Sequence, residues 1–163
     1  MIITRRTPFA PGAARELLRS SPEFLDLVGD DPAAITTREL PDPLTGPCVT
    51  IYTGVNRRQN IEMSKARLLV SVWVPKSEVL VDRPVPILTD PEELSWDIAD
   101  LAGRIFDQRR GMGTGRSFEF RGATWRAEWD AGPTTMVDRE RGVENPLYRS
   151  VIEVLMKLGS GPR

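Results

Sequence analysis

A chain of 163 residues with 40% hydrophobic and 28% charged side chains has the composition of a globular domain, which excludes a disordered protein. Its formal net charge of −1 argues against a free-standing nucleic-acid binder, although a local basic patch is compatible with it. Histidine is absent and Cys48 is the single cysteine, so the commonest general base, the commonest zinc ligand and an internal disulfide are missing. We expect one domain, residues 1–163, in which Cys48 is a buried, inert thiol.

The first predicted elements are helices. Apolar residues recur at helical spacing from residue 11 to residue 28, and the Ser-Ser-Pro-Glu sequence at 20–23 supplies a stop and a new N-cap. We expect two short helices, or one broken helix, in this segment. A short edge strand at residues 35–39 and an irregular, proline-rich passage at 40–47 are predicted to follow.

Two strands joined by a long hairpin tip are predicted next. Residues 48–53 are β-branched and alternate along the strand. Residues 67–74 are almost wholly apolar, so this strand is predicted to be central and covered on both faces. The polar segment 54–66 between them forms the predicted tip.

Basic residues of this tip form the first candidate site, a contact with a partner or with a lumen. The cluster consists of Arg57, Arg58, Lys65 and Arg67, and the predicted contact residues are Arg57, Arg58 and Lys65. Their partner is predicted to be an acidic protein surface or the phosphates of passing DNA. A plain solvated loop is the alternative interpretation.

A long loop or arm at about residues 75–89 is the second candidate site. Pro84 and Pro86 argue against a helix or a central strand in this segment. It nevertheless carries six aliphatic residues that need burial, namely Val79, Leu80, Val81, Val85, Ile87 and Leu88. They are predicted to pack on a neighbouring subunit as an inter-subunit arm, with packing on their own domain as the alternative. On that neighbour, residues 79–81 can add a strand to an exposed sheet edge.

A long amphipathic helix is the clearest predicted element. It starts at the N-cap Asp90, carries a continuous apolar stripe and is predicted to run to about Arg110, before Gly111. Two half-buried strands, residues 124–130 and 147–158, follow it. This order predicts an α+β fold: a mostly antiparallel sheet packed by one long amphipathic helix, with a short N-terminal helical segment.

No catalytic, cofactor-binding or metal-binding residue is predicted. The glycine-rich segment 111–115 follows a helix, whereas a phosphate-binding loop precedes one, so this segment is predicted to be a connector. The carboxylates of Asp97, Asp100 and Asp107 are more typical of a solvated helix face than of a metal site or an acid–base pair.

The tryptophans indicate two roles. Trp125 and Trp129 alternate with Ala127 on one strand face, which favours core packing over a platform for stacked bases. Trp96 lies off the apolar stripe of the long helix and is therefore an interface candidate.

The order and spacing of several segments resemble those of the tail terminator, or tail completion, proteins of long-tailed bacteriophages. The N-terminal helical stretch ends in Leu-Val-Gly-Asp at 27–30, and a proline-rich passage leads to a Pro-Cys-Val-Thr-Ile-Tyr strand at 47–52. A Val-Ser-Val-Trp strand at 70–73, the long helix and a closing Leu-Tyr-Arg-Ser-Val-Ile-Glu-Val strand at 147–154 follow. The likeness covers most of the chain, but residues 76–89 and 118–122 make it longer than compact members of the family.

The resemblance implies a structural protein without enzymatic activity or cofactor. Such proteins form a ring, a hexamer, on the end of the tail tube, stop its polymerisation and present a surface for joining to the head. The implied partners are further copies of the chain, the tail tube protein, a head-completion or neck protein, and DNA that passes through the lumen without specific binding. The implied location is the head-proximal end of the virion tail, after assembly in the host cytoplasm.

Two other functions suit the same residues. One is a different head–tail connector, such as a stopper or neck protein, or a tube-like protein. The other is a small α+β enzyme or ligand-binding domain that uses carboxylates and the arginine-rich tip. No apolar run has the length of a transmembrane helix or a signal peptide, so no membrane partner is expected.

Overall fold

A computed structural model describes residues 5–60, 63–107, 109–110, 114–115 and 117–162. The helices are α1 (Ala10–Arg19), α2 (Pro22–Leu27), α3 (Ser77–Val81) and α4 (Pro91–Phe106), with a 3-10 turn at Pro32–Ala34. The strands are β1 (Arg5–Arg6), β2 (Ile35–Thr36), β3 (Cys48–Arg58), β4 (Met63–Pro75), β5 (Arg109–Arg110), β6 (Thr114–Gly115), β7 (Phe118–Phe120), β8 (Ala123–Asp138), β9 (Leu147–Gly159) and β10 (Gly161–Pro162).

Six of these strands form one sheet, in the order β2-β3-β4-β9-β8-β7. Neighbouring strands run antiparallel, except for β2 and β3, which are parallel. Two short pairs, β1 with β10 and β5 with β6, lie outside this sheet. One long helix packs on the sheet, so the predicted α+β class is confirmed.

The core lies between one face of the sheet, the inner face, and the helices α1 and α4. Alternate side chains of a strand share a face, and the inner-face residues of β4 are fully buried: Leu68, Val70, Val72 and Val74. Helix α4 contacts β4, β8 and β9 from this side. Its buried stripe consists of Leu94, Ile98, Ala99, Ala102, Ile105 and Phe106. The apolar periodicities of helix and strands therefore meet in one core.

The opposite, outer face of the sheet is only partly covered. Trp73 Nε1 donates to Thr50 Oγ1 at 2.9 Å, and Arg149 donates to Ser71 Oγ at 3.0 Å while its guanidinium lies 4.6 Å from the Trp73 ring centre. The side chains of Trp73 and Arg149 keep Thr50 and Ser71 buried. Leu69 and Trp73 itself are only half-buried. Strand β4 is central, as predicted, but its two faces are covered unequally.

Capping side chains start the helices at predicted positions. Ser21 Oγ accepts a hydrogen bond from Phe24 N at 3.3 Å at the start of α2. Asp90 Oδ1 accepts from Glu92 N at 3.0 Å and from Glu93 N at 3.3 Å at the start of α4. The two short N-terminal helices are confirmed as well, and the predicted edge strand is present but shorter, as β2 at Ile35–Thr36.

The predicted end of the long helix is wrong. Helix α4 stops at Phe106 rather than near Arg110, because Asp107 leaves helical geometry (φ −97°, ψ 54°) and residues 109–110 pair with β6 as an extended strand.

No helix of the described residues is long and apolar enough to cross a membrane.

The prediction of a long hairpin tip at residues 54–66 is also wrong. Strand β3 continues to Arg58 and β4 already begins at Met63, so most of the polar segment 54–66 lies on paired strands. A register shift between Thr53 and Asn56 lets the pairing continue past Gly54. Charged side chains of this segment therefore have a defined face of the sheet.

The arm is more regular than predicted. Residues Ser77–Val81 form α3, because the prolines at 84 and 86 lie beyond this short helix and do not interrupt it. Leu80 is fully buried in the core, and Ile87 packs on the same core with its N–H donating to Leu80 O at 3.0 Å. The predicted addition of residues 79–81 to a neighbouring sheet as a strand is therefore wrong.

Helix α4 packs so closely on β8 that position 103 has no room for a side chain larger than that of glycine. A Cβ built on Gly103 would lie 2.5 Å from Cδ2 of the Trp129 ring. We expect Gly103→Ala to lower the free energy of unfolding by about 1–3 kcal/mol, although alanine raises helix propensity by about 1 kcal/mol. Urea denaturation measures the change. Arg104→Ala, at a side chain 68% exposed, is the control and should change stability by less than about 0.5 kcal/mol. Equal stability of Gly103→Ala and the native chain would contradict this packing.

Candidate interaction surfaces

The carboxylates of α4 lie on its solvent side. Asp97 is exposed, and Asp100 accepts a 2.7 Å hydrogen bond from Arg104 Nε one turn later. Within the described residues, no group of three or more histidine, cysteine or acidic side chains is placed to hold a metal ion. The glycines at 111–113, considered above as a connector, lie outside those residues.

Cys48 is buried, as predicted, in a small cluster with Leu44 and Leu147. Burial raises the pKa of its thiol from 9.0 to about 11, and the negative charge of Asp31 acts in the same direction. The thiol is therefore uncharged at neutral pH, which makes it a poor nucleophile and a poor metal ligand.

The tryptophans occupy separate places. Trp125 is buried with its ring centre 4.7 Å from that of Phe118, and Trp129 packs on α4, so core packing of this pair is confirmed. Trp73 lies on the outer face of the sheet. Trp96 is 46% exposed beside Glu92 and Glu93, where the predicted interface position stays a prediction.

The three predicted tip residues do not form one cluster. Arg57 stands opposite Lys65 on the outer face of the sheet, whereas Arg58 stands opposite Ser64, which is buried on the inner face. The Arg58 guanidinium donates to Thr7 Oγ1 at 2.6 Å on that other side. A cavity of about 370 Å³, with Arg6 and Arg121 among its lining residues, lies on the same side. The structure thus separates Arg58 from the other two.

Two further cations, which the sequence analysis did not connect with the tip, join Arg57 and Lys65. Lys157 of β9 stands opposite Lys65, and Arg126 of β8 stands opposite Lys157. All four side chains are exposed. We call Arg57, Lys65, Lys157 and Arg126 the cationic row. Alternation alone places Arg126 and Lys157 on the polar faces of their strands, but the row depends on strand register.

The arm residues divide into an anchor and an exposed part. Leu80 and Ile87 pack inward, and Arg83 donates to Thr45 O at 3.1 Å, which fixes the loop after α3. Three aliphatic side chains point outward: Val81 is 50%, Val85 79% and Leu88 83% exposed. We call Val81, Val85 and Leu88 the aliphatic arm. Val85 and Leu88 of this arm line a groove of about 650 Å³ whose other side is formed by the end of α2.

Comparisons with protein-family models, with curated proteins and with solved structures find no match to this chain.

The raised pKa of Cys48 predicts slow thiol chemistry. A pKa of about 11 instead of 9.0 leaves about a hundredth as much thiolate at neutral pH. We expect the native thiol to react with a disulfide reagent at least about 100-fold more slowly than the urea-unfolded chain. Absorbance of the released thiol measures both rates, and similar rates would contradict burial.

Linkage gives a second readout for the same residue. Because the folded pKa is raised, the thiol's contribution to stability is fully present below about pH 9 and is lost as the pH rises towards about 11. The variant Cys48→Ala should lack this alkaline loss. Urea midpoints of both proteins across that range measure it, and parallel curves would contradict the assignment.

Proposed function

We propose that this chain is a structural subunit that forms a ring, a hexamer, on the end of a bacteriophage tail tube. The ring stops polymerisation of the tube and offers a surface to a head-completion or neck protein. In this proposal the chain catalyses no reaction, binds no cofactor, and lies at the head-proximal end of the virion tail. The likeness of segment order to tail terminator proteins motivates it, and the aliphatic arm is the observation that carries it.

The exposure of the aliphatic arm supports a partner contact. Two large aliphatic side chains only three residues apart, Val85 and Leu88, are about four-fifths exposed. Burial of a Val or Leu side chain stabilises a complex by about 1.5–3 kcal/mol. The loop is held by the buried anchor Leu80 and by the bond from Arg83, so little conformational freedom has to be lost on docking.

A ring also needs a second, different surface, because a head-to-tail contact joins two unlike patches. The sheet offers one at β3. Strand β2 pairs only with Val49 and Thr50, and no other strand of the described residues pairs with that edge of β3 from Ile51 to Arg58. Tyr52, 43% exposed, lies beside this open edge and supplies an aromatic contact. An arm and an open edge on one chain provide the two patches of a closing ring.

Substitution of the arm tests the proposal. Because Leu80 and Ile87 belong to the core, deletion of the whole segment would unfold the chain, whereas Val85→Ser with Leu88→Ser changes exposed groups alone. We expect this double variant to keep its native free energy of unfolding, measured by urea denaturation, to within about 0.5 kcal/mol per site but to stop forming rings. Tails assembled with it should grow to irregular lengths in electron micrographs.

A matched control exists in the loop between β8 and β9. Val143 is 81% exposed and lies outside the arm, so Val143→Ser should cap tails at normal length. Normal capping by the arm variant as well would remove the arm from the ring contact. Rings found between tube and head, with unchanged tube length, would indicate a stopper or neck protein instead.

A further inference from the structure

The cationic row places four positive charges side by side across four adjacent strands. Register sets Arg57 opposite Lys65, Lys65 opposite Lys157, and Lys157 opposite Arg126, so all four project from the outer face. Strands in a sheet lie about 4.8 Å apart, which makes the row about 14 Å long. Like charges directly opposite each other destabilise a sheet.

Another cation on the outer face, Arg67, is neutralised by carboxylates. Arg67, two residues from Lys65, contacts Asp130 Oδ2 at 2.7 Å and Glu153 Oε2 at 3.1 Å. Across the described residues, no ion pair includes a member of the cationic row. The sheet thus retains a repulsion that a bound anion relieves.

The surroundings of the row favour a phosphate backbone over a protein partner. The register rows on either side hold Met63 with Gly159, and Arg67 with Leu155 and Glu128. These three rows contain no aromatic ring among the described residues, whereas protein interfaces are enriched in Tyr, Trp and Phe. Duplex DNA carries one negative charge per about 1.7 Å of its axis, so a row of this length meets several phosphates.

We propose that the cationic row binds the phosphate backbone of nucleic acid without regard to base sequence. Four cations neutralise up to four phosphates, which predicts weak binding whose logarithm falls with the logarithm of salt concentration with a slope of about −3 to −4. The proposal goes beyond ring assembly, because it rests on the register of one chain. In a ring with this face towards the lumen, the row would contact passing DNA.

Fluorescence anisotropy of a labelled duplex of about 20 base pairs tests this proposal. The row variant is Lys65→Gln with Lys157→Gln. The control is Arg38→Gln with Arg139→Gln, since these exposed arginines lie outside the row and their loss changes net charge equally. We expect the wild type and the control to bind at low salt. The row variant should bind at least about tenfold more weakly, with a salt slope smaller by about 2.

Thermal melting separates lost binding from lost folding. Removal of two opposed like charges relieves repulsion, so the row variant should melt no lower than the wild type at low salt. A purely structural role of Lys65 and Lys157 predicts a lower melting temperature instead, and that result would count against the proposal.

Three outcomes overturn the inference. The first is that the wild type does not bind DNA at low salt, and the second is that the row and control variants lose DNA affinity equally. The third is that the wild type binds polyglutamate as tightly as DNA. The last outcome would assign the row to an acidic protein surface. Sedimentation of the same samples keeps the ring question separate: a monomer that binds DNA through the row preserves this inference, whether or not the chain forms a ring on a tube end.

Discussion

Helix α4 buries its apolar stripe against β4, β8 and β9, and the missing side chain of Gly103 lets the Trp129 ring approach the helix backbone. Helices α4 and α1 together bury the inner face of the sheet from one side. The outer face is then free to carry charge, and its residues are positioned by strand pairing rather than by packing. Both the core and the charged surface therefore depend on this one-sided packing.

The two proposed contact surfaces have different physical origins. The aliphatic arm consists of the last residue of α3 and two residues of the following loop. The buried side chains of Leu80 and Ile87 anchor this segment, so its outward residues are exposed at fixed positions. The cationic row is a consequence of register, because four residues that are far apart in sequence meet across β3, β4, β9 and β8. One surface is apolar and the other is charged, which allows two kinds of partner to bind one chain.

The sequence was sufficient for elements whose signals are local. The N-cap at Asp90, the break at Ser21 and the alternation around Trp125 each predict structure over a few residues, and each is present. Non-local features were missed. Nothing in the sequence around Arg126 or Lys157 indicates that these two residues are neighbours on paired strands. The face of the sheet on which Arg58 lies depends on its pairing with Ser64. The helix at Ser77–Val81 is not predicted, although Pro84 and Pro86 argue against a helix only at and after their own positions, beyond its end.

Electron microscopy of the purified protein with isolated tail tubes tests assembly on a tube end most directly. We expect rings of six subunits on one end of each tube, with the aliphatic arm at the contact between neighbouring subunits, and tubes that no longer elongate. Bare tube ends that continue to grow in the presence of excess protein, together with single subunits at every concentration, would contradict ring assembly on a tube end.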